Sequence, residues 1–272
     1  MISILKVELF RLKKSTAFWV CFGLCIGLPL LSLLFLLAID MLTKSLGDTG
    51  LIADLLREAG GTLSMTQDFV AYSADNNVLA LIASAVVLAT EFSHGTVRNM
   101  IVANKKRSEI FLAYYVVALM IGAIYLFAQL AALLLFFGPV FGFGNLGAGQ
   151  AITTLLCQFA MGLTAMLCVQ TMICMFLFAT RKTSLTILLP MLVVMLVPDI
   201  ISGIVSIVLV ALSQNVTVSQ TALQCIPFYN WQTLDILHPA GLNVSMVCLY
   251  NLLFTGLFFL CGISTFRKTD LK

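Results

Sequence analysis

Six apolar runs separated by polar segments set the pattern of this chain. Ala17 to Ile39 carries no charged residue. A bilayer span takes about 20 apolar residues, so residues 17–39 predict a first transmembrane helix. Comparable runs over 71–92, 110–137, 151–180, 183–212 and 244–266 predict five more. The fifth is longer than a bilayer needs: as one helix it would reach about 45 Å at ~1.5 Å per residue, against a hydrocarbon core of ~30 Å. Pro198 stands in its middle and Asp199 follows. Proline breaks or kinks a helix and aspartate caps the next one. The fifth span is therefore expected to end or kink near 198, with a second short helix from Ile200 that is re-entrant or lies at the outer surface.

Ahead of the first run, Ile2, Leu5, Leu9 and Leu12 recur at helical spacing among Lys6, Arg11, Lys13 and Lys14. Residues 1–16 thus predict a basic amphipathic helix suited to the headgroup layer. The first apolar run is too long for a cleaved leader, and no small-x-small site follows it. Between runs one and two, residues 40–75 are polar and acidic, with a short amphipathic helix expected at Leu51, Ile52, Leu55 and Leu56 before Gly60 and Gly61. Residues 138–150 are rich in glycine, as a loop requires. Phe228, Tyr229 and Trp231 are placed to anchor the last outer loop at the interface.

Composition narrows the class further. Hydrophobic residues make up 61% of the 272 and charged residues 10%, and the mean hydropathy is +1.06. Too few polar residues exist to cover a water-soluble surface, and disorder is excluded on the same ground. The expected fold is an all-α integral membrane protein, one transmembrane domain over residues 1–272 with six spans and the N-terminal amphipathic helix. Six spans put both ends on one side. With that threading, 13 of the 15 Lys and Arg residues lie on the side of the termini, leaving Lys44 and Arg57 opposite. Positive loops stay in the cytoplasm, so both termini are expected there. Of the eight cysteines, all but Cys225 fall inside expected spans and read as small buried hydrophobes.

The chemistry of an enzyme is missing from the sequence. It has neither H-E-x-x-H nor G-x-S-x-G. Its two histidines, His94 and His238, fall on opposite sides of the expected membrane. No phosphate loop of the form GxxxxGK[ST] occurs, so no segment is built to cradle ATP. Only Glu91 and Asp199 bring charge near or into the apolar runs, unlike the dense intramembrane charges of proton-driven carriers. The chain reads as a non-enzyme, with no cofactor of its own, whose driving energy comes from outside.

The segment between spans two and three, residues 93–109, carries the most specific signal. Glu91 ends span two, Gly95 permits a sharp turn, and Thr96 is placed to cap a helix beginning at Val97. Arg98, Met100 and Ile101 follow, then Lys105, Lys106 and Arg107. A short helix along the membrane surface that exposes arginine and apolar residues suits the groove of a soluble partner. The same cations also serve topology and attract anionic lipid. Glu91 could hold this loop by pairing with Arg98 or Arg107, or end the span as a solvated carboxylate.

Here the sequence resembles the permease subunits of the type-two ABC exporter family. Their loop after span two reads approximately E-x-x-x-G-T-x-R and is followed by a basic or serine-containing turn with arginine and an aliphatic pair. Glu91, Gly95, Thr96, Arg98 and Arg107 match at the right offsets, Ile110 begins the aliphatic part, and the ending FRKTDLK is similar as well. Tyr114 stands where lysine is frequent in the family, and Asn104-Lys105-Lys106 where a Gly or Pro turn is common. The resemblance covers the whole chain by topology and about 25 residues by motif; this motif pattern is read as a docking helix between turns. It implies that residues 1–16 form the family's elbow helix and that 93–109 are the cytoplasmic coupling loop. It further implies two copies of an ATP-binding subunit that hold ATP and Mg, and a second permease copy or a homologous one. The setting it implies is the bacterial plasma membrane, with lipid rather than nucleic acid as the other contact. The nearest types within the family export peptide antibiotics such as lantibiotics, conferring self-immunity, or export drugs.

Within the spans, Asp199, Gln129, Gln158 and Gln170 are the candidates to line a translocation path. Asp199 serves equally as a helix cap, and the glutamines serve equally as hydrogen-bonding links between helices. Two other classes remain open on the residues alone: an ATP-independent channel or secondary carrier, and a membrane sensor or scaffold.

Overall fold

The computed structural model of the chain describes residues 2–45, 78–90, 92, 96–103, 106–136, 139, 148–213 and 244–268. The expected helix at 51–56, Gly60, Gly61 and the aromatic anchors 228–231 lie outside these. The described residues form helices and short connections, with no strand among them. In chain order the helices are α1 (Ile2–Lys14), α2 (Thr16–Ser45), α3 (Val78–Thr90), α4 (Thr96–Val102), α5 (Arg107–Phe136), α6 (Ala148–Thr180), α7 (Thr183–Ser213) and α8 (Val244–Lys268). Four have stretches long and apolar enough to cross a membrane: Thr16–Phe35, Arg107–Phe136, Phe159–Thr180 and Val244–Lys268.

Local chemistry sets the breaks. Ser15 separates α1 from α2. Its hydroxyl accepts from the Phe18 amide at 3.4 Å and its carbonyl accepts from the Trp19 amide at 3.3 Å, the arrangement of an N-cap serine. The Trp19 indole donates back to the Lys13 carbonyl at 2.8 Å, bracing the corner. At the far end of α6, Arg181 adopts φ 56° and its amide donates to the Leu177 carbonyl at 3.0 Å. That single bond closes a helix in the left-handed manner usually given to glycine. Lys182 completes a two-residue link, and the Thr180 and Thr186 hydroxyls meet across it at 3.3 Å.

The fifth apolar run does not end at Pro198. Helix α7 runs as one element from Thr183 to Ser213. A proline there forfeits one backbone hydrogen bond, a loss that membrane helices absorb by local adjustment. α2 likewise continues through Pro29 and beyond the expected boundary at Ile39, as far as Ser45.

Helix α6 is the centre of the bundle and packs on α5, α7 and α8. α5 runs antiparallel to it. Tyr115 meets Thr171, Gly122 faces Met166 and Gln170, and Leu126 lies over Gly162, so the α6 partner falls in number as α5 rises. α8 runs parallel to α6 in constant register. The Asn251 amide donates to the Thr164 hydroxyl 87 residues away, and the same offset brings Gly262 against the backbone of Met175. α2 lies along the other side of α5 in the same direction: Cys25 reaches the Tyr125 carbonyl, and Leu33 packs on Leu133. The Tyr125 hydroxyl, deep in the bundle, donates to the Phe18 carbonyl at 2.8 Å. α3 contributes Ala80, Ala83, Val87 and Leu88 to the main core cluster and Leu81 and Ala85 to a second one shared with α6 and α7. Outward faces of α2, α7 and α8 keep large aliphatic residues exposed, among them Leu31, Leu34, Ile204, Ile207, Leu253 and Leu260. Such surface suits contact with lipid.

Candidate functional site

The start of α5 and the ends of α3, α6 and α8 gather at one end of the bundle. Phe92, Phe111, Tyr114, Phe178 and Phe266 interlock there. The cations flanking these helix ends, Lys106, Arg107, Arg181, Lys182, Arg267 and Lys268, therefore belong to the same end.

Helix α4 is the expected short helix of the loop, with Thr96 and Arg98 in its first turn. Val97 is buried in the main core cluster; Met100 and Ile101 pack on that cluster partly buried. Val102 points away, 80% exposed. The helix is thus held by three apolar side chains and contacts α5. Glu91, Gly95 and Lys105, along with the side chains of Thr96 and Arg98, lie outside the described residues. Lys106 is exposed. Its carbonyl accepts from the amides of Glu109 and Ile110, starting α5.

Arg107 makes the bond that sequence reading did not anticipate. Its Nη1 donates to the carbonyls of Arg267 at 3.1 Å and Phe266 at 3.4 Å. Those carbonyls end α8, where unsatisfied acceptors and the negative end of the helix dipole favour a cation. One guanidinium thereby ties the exit of the loop to the last helix.

The intramembrane candidates do not come together on a passage. Gln170 is fully buried, its Nε2 donating to Met166 Sδ at 3.6 Å. Gln129 is 1% exposed. The α5 residue facing Gln170 is Gly122, nearly two turns before Gln129. Gln170 Oε1 and Gln129 Nε2 find no hydrogen-bond partner among the described residues, a costly state for buried polar atoms. Gln158 falls within α6 and Asp199 within α7, and their side chains lie outside the described residues.

Three further features escaped the sequence reading. Glu8 is 2% exposed, on the face of α1 that packs on α5, with Arg11 Nη1 at 3.9 Å. The signal was available, since Glu8 stands four residues from both Ile4 and Leu12, the buried aliphatic residues of that face. The polar seam of Thr164, Cys248 and Asn251 between α6 and α8 gave no such signal, because its residues are remote in sequence. The same holds for the aromatic cluster around Phe178. Among the described residues, no group of three or more His, Cys, Asp or Glu could hold a metal ion.

No protein-family model matches the chain. No curated protein matches it either.

Proposed function

We propose that the chain is the permease subunit of an ATP-driven exporter of the ABC type-two family. In this reading α2, α3, α5, α6, α7 and α8 are six spans, α1 is the elbow helix, and α4 with its flanks is the coupling loop on the cytoplasmic face. Two permeases, identical or homologous, flank the path, and each docks one ATP-binding subunit that carries ATP and Mg. Nucleotide binding draws the two ATPases together and biases the bundle between two arrangements of similar free energy. The cargo is an amphipathic or hydrophobic molecule, such as a peptide antibiotic, a lantibiotic or a drug, expelled from a bacterial plasma membrane.

The observation that carries this reading is the loop itself. The Glu91, Gly95, Thr96, Arg98 and Arg107 pattern leads into a separate short helix seated on the bundle through Val97, Met100 and Ile101. α5 and α6 run antiparallel while α2 runs with α5 and α8 with α6, directions that support six passes. Cations gathered at the end that bears α4 support a cytoplasmic placement for that end. The burial of Gln129 and Gln170 fits one arrangement of a gate that opens elsewhere in its cycle.

The test is copurification of the full-length protein from membranes with candidate ATP-binding subunits. Wild type retains its ATPase, while Arg98→Glu and Gly95→Pro lose most of it. Equal retention by both variants removes the docking role of the loop. Transport that persists after the ATPase is deleted favours an ATP-independent carrier instead.

A further inference from the structure

The ring cluster at the end of the bundle has a single centre. Phe178, fully buried at the last turns of α6, places its ring 4.4 Å from that of Phe266, 5.1 Å from Phe111, 5.2 Å from Phe92 and 5.8 Å from Tyr114, centroid to centroid. One side chain thus touches residues from the end of α3, the start of α5 and the end of α8. These flank α4 on both sides in sequence: Phe92 lies just before the loop, Phe111 and Tyr114 just after it. Tilted and edge-on pairs at such spacings are the favourable geometries for aromatic rings, each worth about 0.5–1.5 kcal/mol beyond burial.

Two further contacts stiffen the same place. The Arg107 guanidinium holds the terminal carbonyls of α8. Gly262 lets α8 approach so closely that a Cβ there would stand 3.0 Å from the Phe111 ring and 3.2 Å from the Met175 backbone. Close-packed interiors transmit displacement rather than absorb it. By contrast, α4 itself is held by few residues, so its movement reaches the bundle through Val97, Met100 and Ile101 on the core and through Phe92 and the first turn of α5 on either side in sequence.

We infer that Phe178 and Arg107 form a relay by which displacement of α4 is passed to α8, Phe178 through its ring contacts and Arg107 through its hold on the carbonyls of Phe266 and Arg267. Both are positioning residues in this role. Phe178 is fully buried within the bundle, and Arg107 commits Nη1 to its own chain. The relay rests on the permease reading above and adds to it the route from the docked ATPase to the last span.

The experiment is amide hydrogen exchange on the complete complex in lipid nanodiscs, with and without ATP plus vanadate. In wild type, nucleotide changes exchange both in residues 96–102 and in residues 262–268. In Phe178→Ala the complex still captures its ATPase and the change in 96–102 persists, but the change in 262–268 is lost. A residue that merely stabilises the fold would raise exchange with and without nucleotide alike and leave the difference intact. Phe178→Leu, which retains apolar volume, and Arg107→Gln serve if Phe178→Ala fails to fold, with the same loss expected. A nucleotide response in 262–268 that survives these substitutions overturns the relay. Failure of wild-type 96–102 to respond at all would overturn the permease reading and the relay with it, and so separates the two failures.

Discussion

Gly262 and Gly256 sit in the same helix and make opposite demands. A side chain at Gly262 would meet Phe111 and the Met175 backbone, whereas one at Gly256 would meet nothing within 4 Å. Overpacking a dense contact costs roughly 1–3 kcal/mol, while alanine in place of an open helical glycine gains up to about 1 kcal/mol. Gly262→Ala is therefore expected to lower the unfolding midpoint in detergent and Gly256→Ala to hold or raise it. Thermal unfolding of the two variants side by side checks the sign. Glu8 makes a second point at this scale. Burying a carboxylate is costly without polar partners, and this one lies within a stripe of aliphatic residues on α1. Glu8→Leu keeps the packing and discards the polar contacts, so a loss of stability greater than that of Glu8→Gln would argue that hydrogen bonding rather than shape holds α1 to α5, and a smaller loss the reverse.

Element boundaries were legible wherever a local device sets them. Lys13, Lys14 and Ser15 mark the corner between α1 and α2, and removing the cap by Ser15→Ala is expected to cost about 1 kcal/mol. That loss is readable as a lower denaturation midpoint, with added exchange confined to the first turn of α2. Arg181 and Lys182 mark the end of α6 in the same way. The helix end expected at Pro198 is absent, because that expectation judges proline by what it does in water. In an apolar helix with no competing solvent, the alternative to staying helical is a set of unsatisfied backbone groups, and α7 stays intact. The seam of Thr164 and Asn251 was illegible for a different reason: nothing in either helix names its partner. Hydrogen bonds of this kind contribute about 0.6 kcal/mol on average in membranes. Asn251→Leu should accordingly leave the α6–α8 pair associated with only a small drop in stability, measured by unfolding in mixed micelles.

At the scale of the molecule, the hydropathy pattern anticipated an all-helical, membrane-like chain, and four described helices have the length and apolarity to cross a bilayer. The candidate site was half visible. The loop pattern located α4, but the bond from Arg107 to α8 joins residues about 160 apart and has no counterpart in local sequence. The gathering of cations at one end predicts sidedness. Membrane-impermeant amine labelling of Lys106, Lys182 and Lys268 in sealed vesicles should modify all three from one side only, the inner one. Modification split between the two sides would break the six-pass threading.

The long parallel contact between α6 and α8 has a consequence for biogenesis. The helix at the heart of the bundle completes its largest interface with residues 244–268, which the ribosome makes after every other described helix. Until then one flank of α6, with Thr164 and its neighbours, faces lipid or an insertase. Assembly of this protein must therefore finish after translation of α8, and chains stopped before residue 244 should be cleared by membrane proteases rather than accumulate as a remnant that lacks α8.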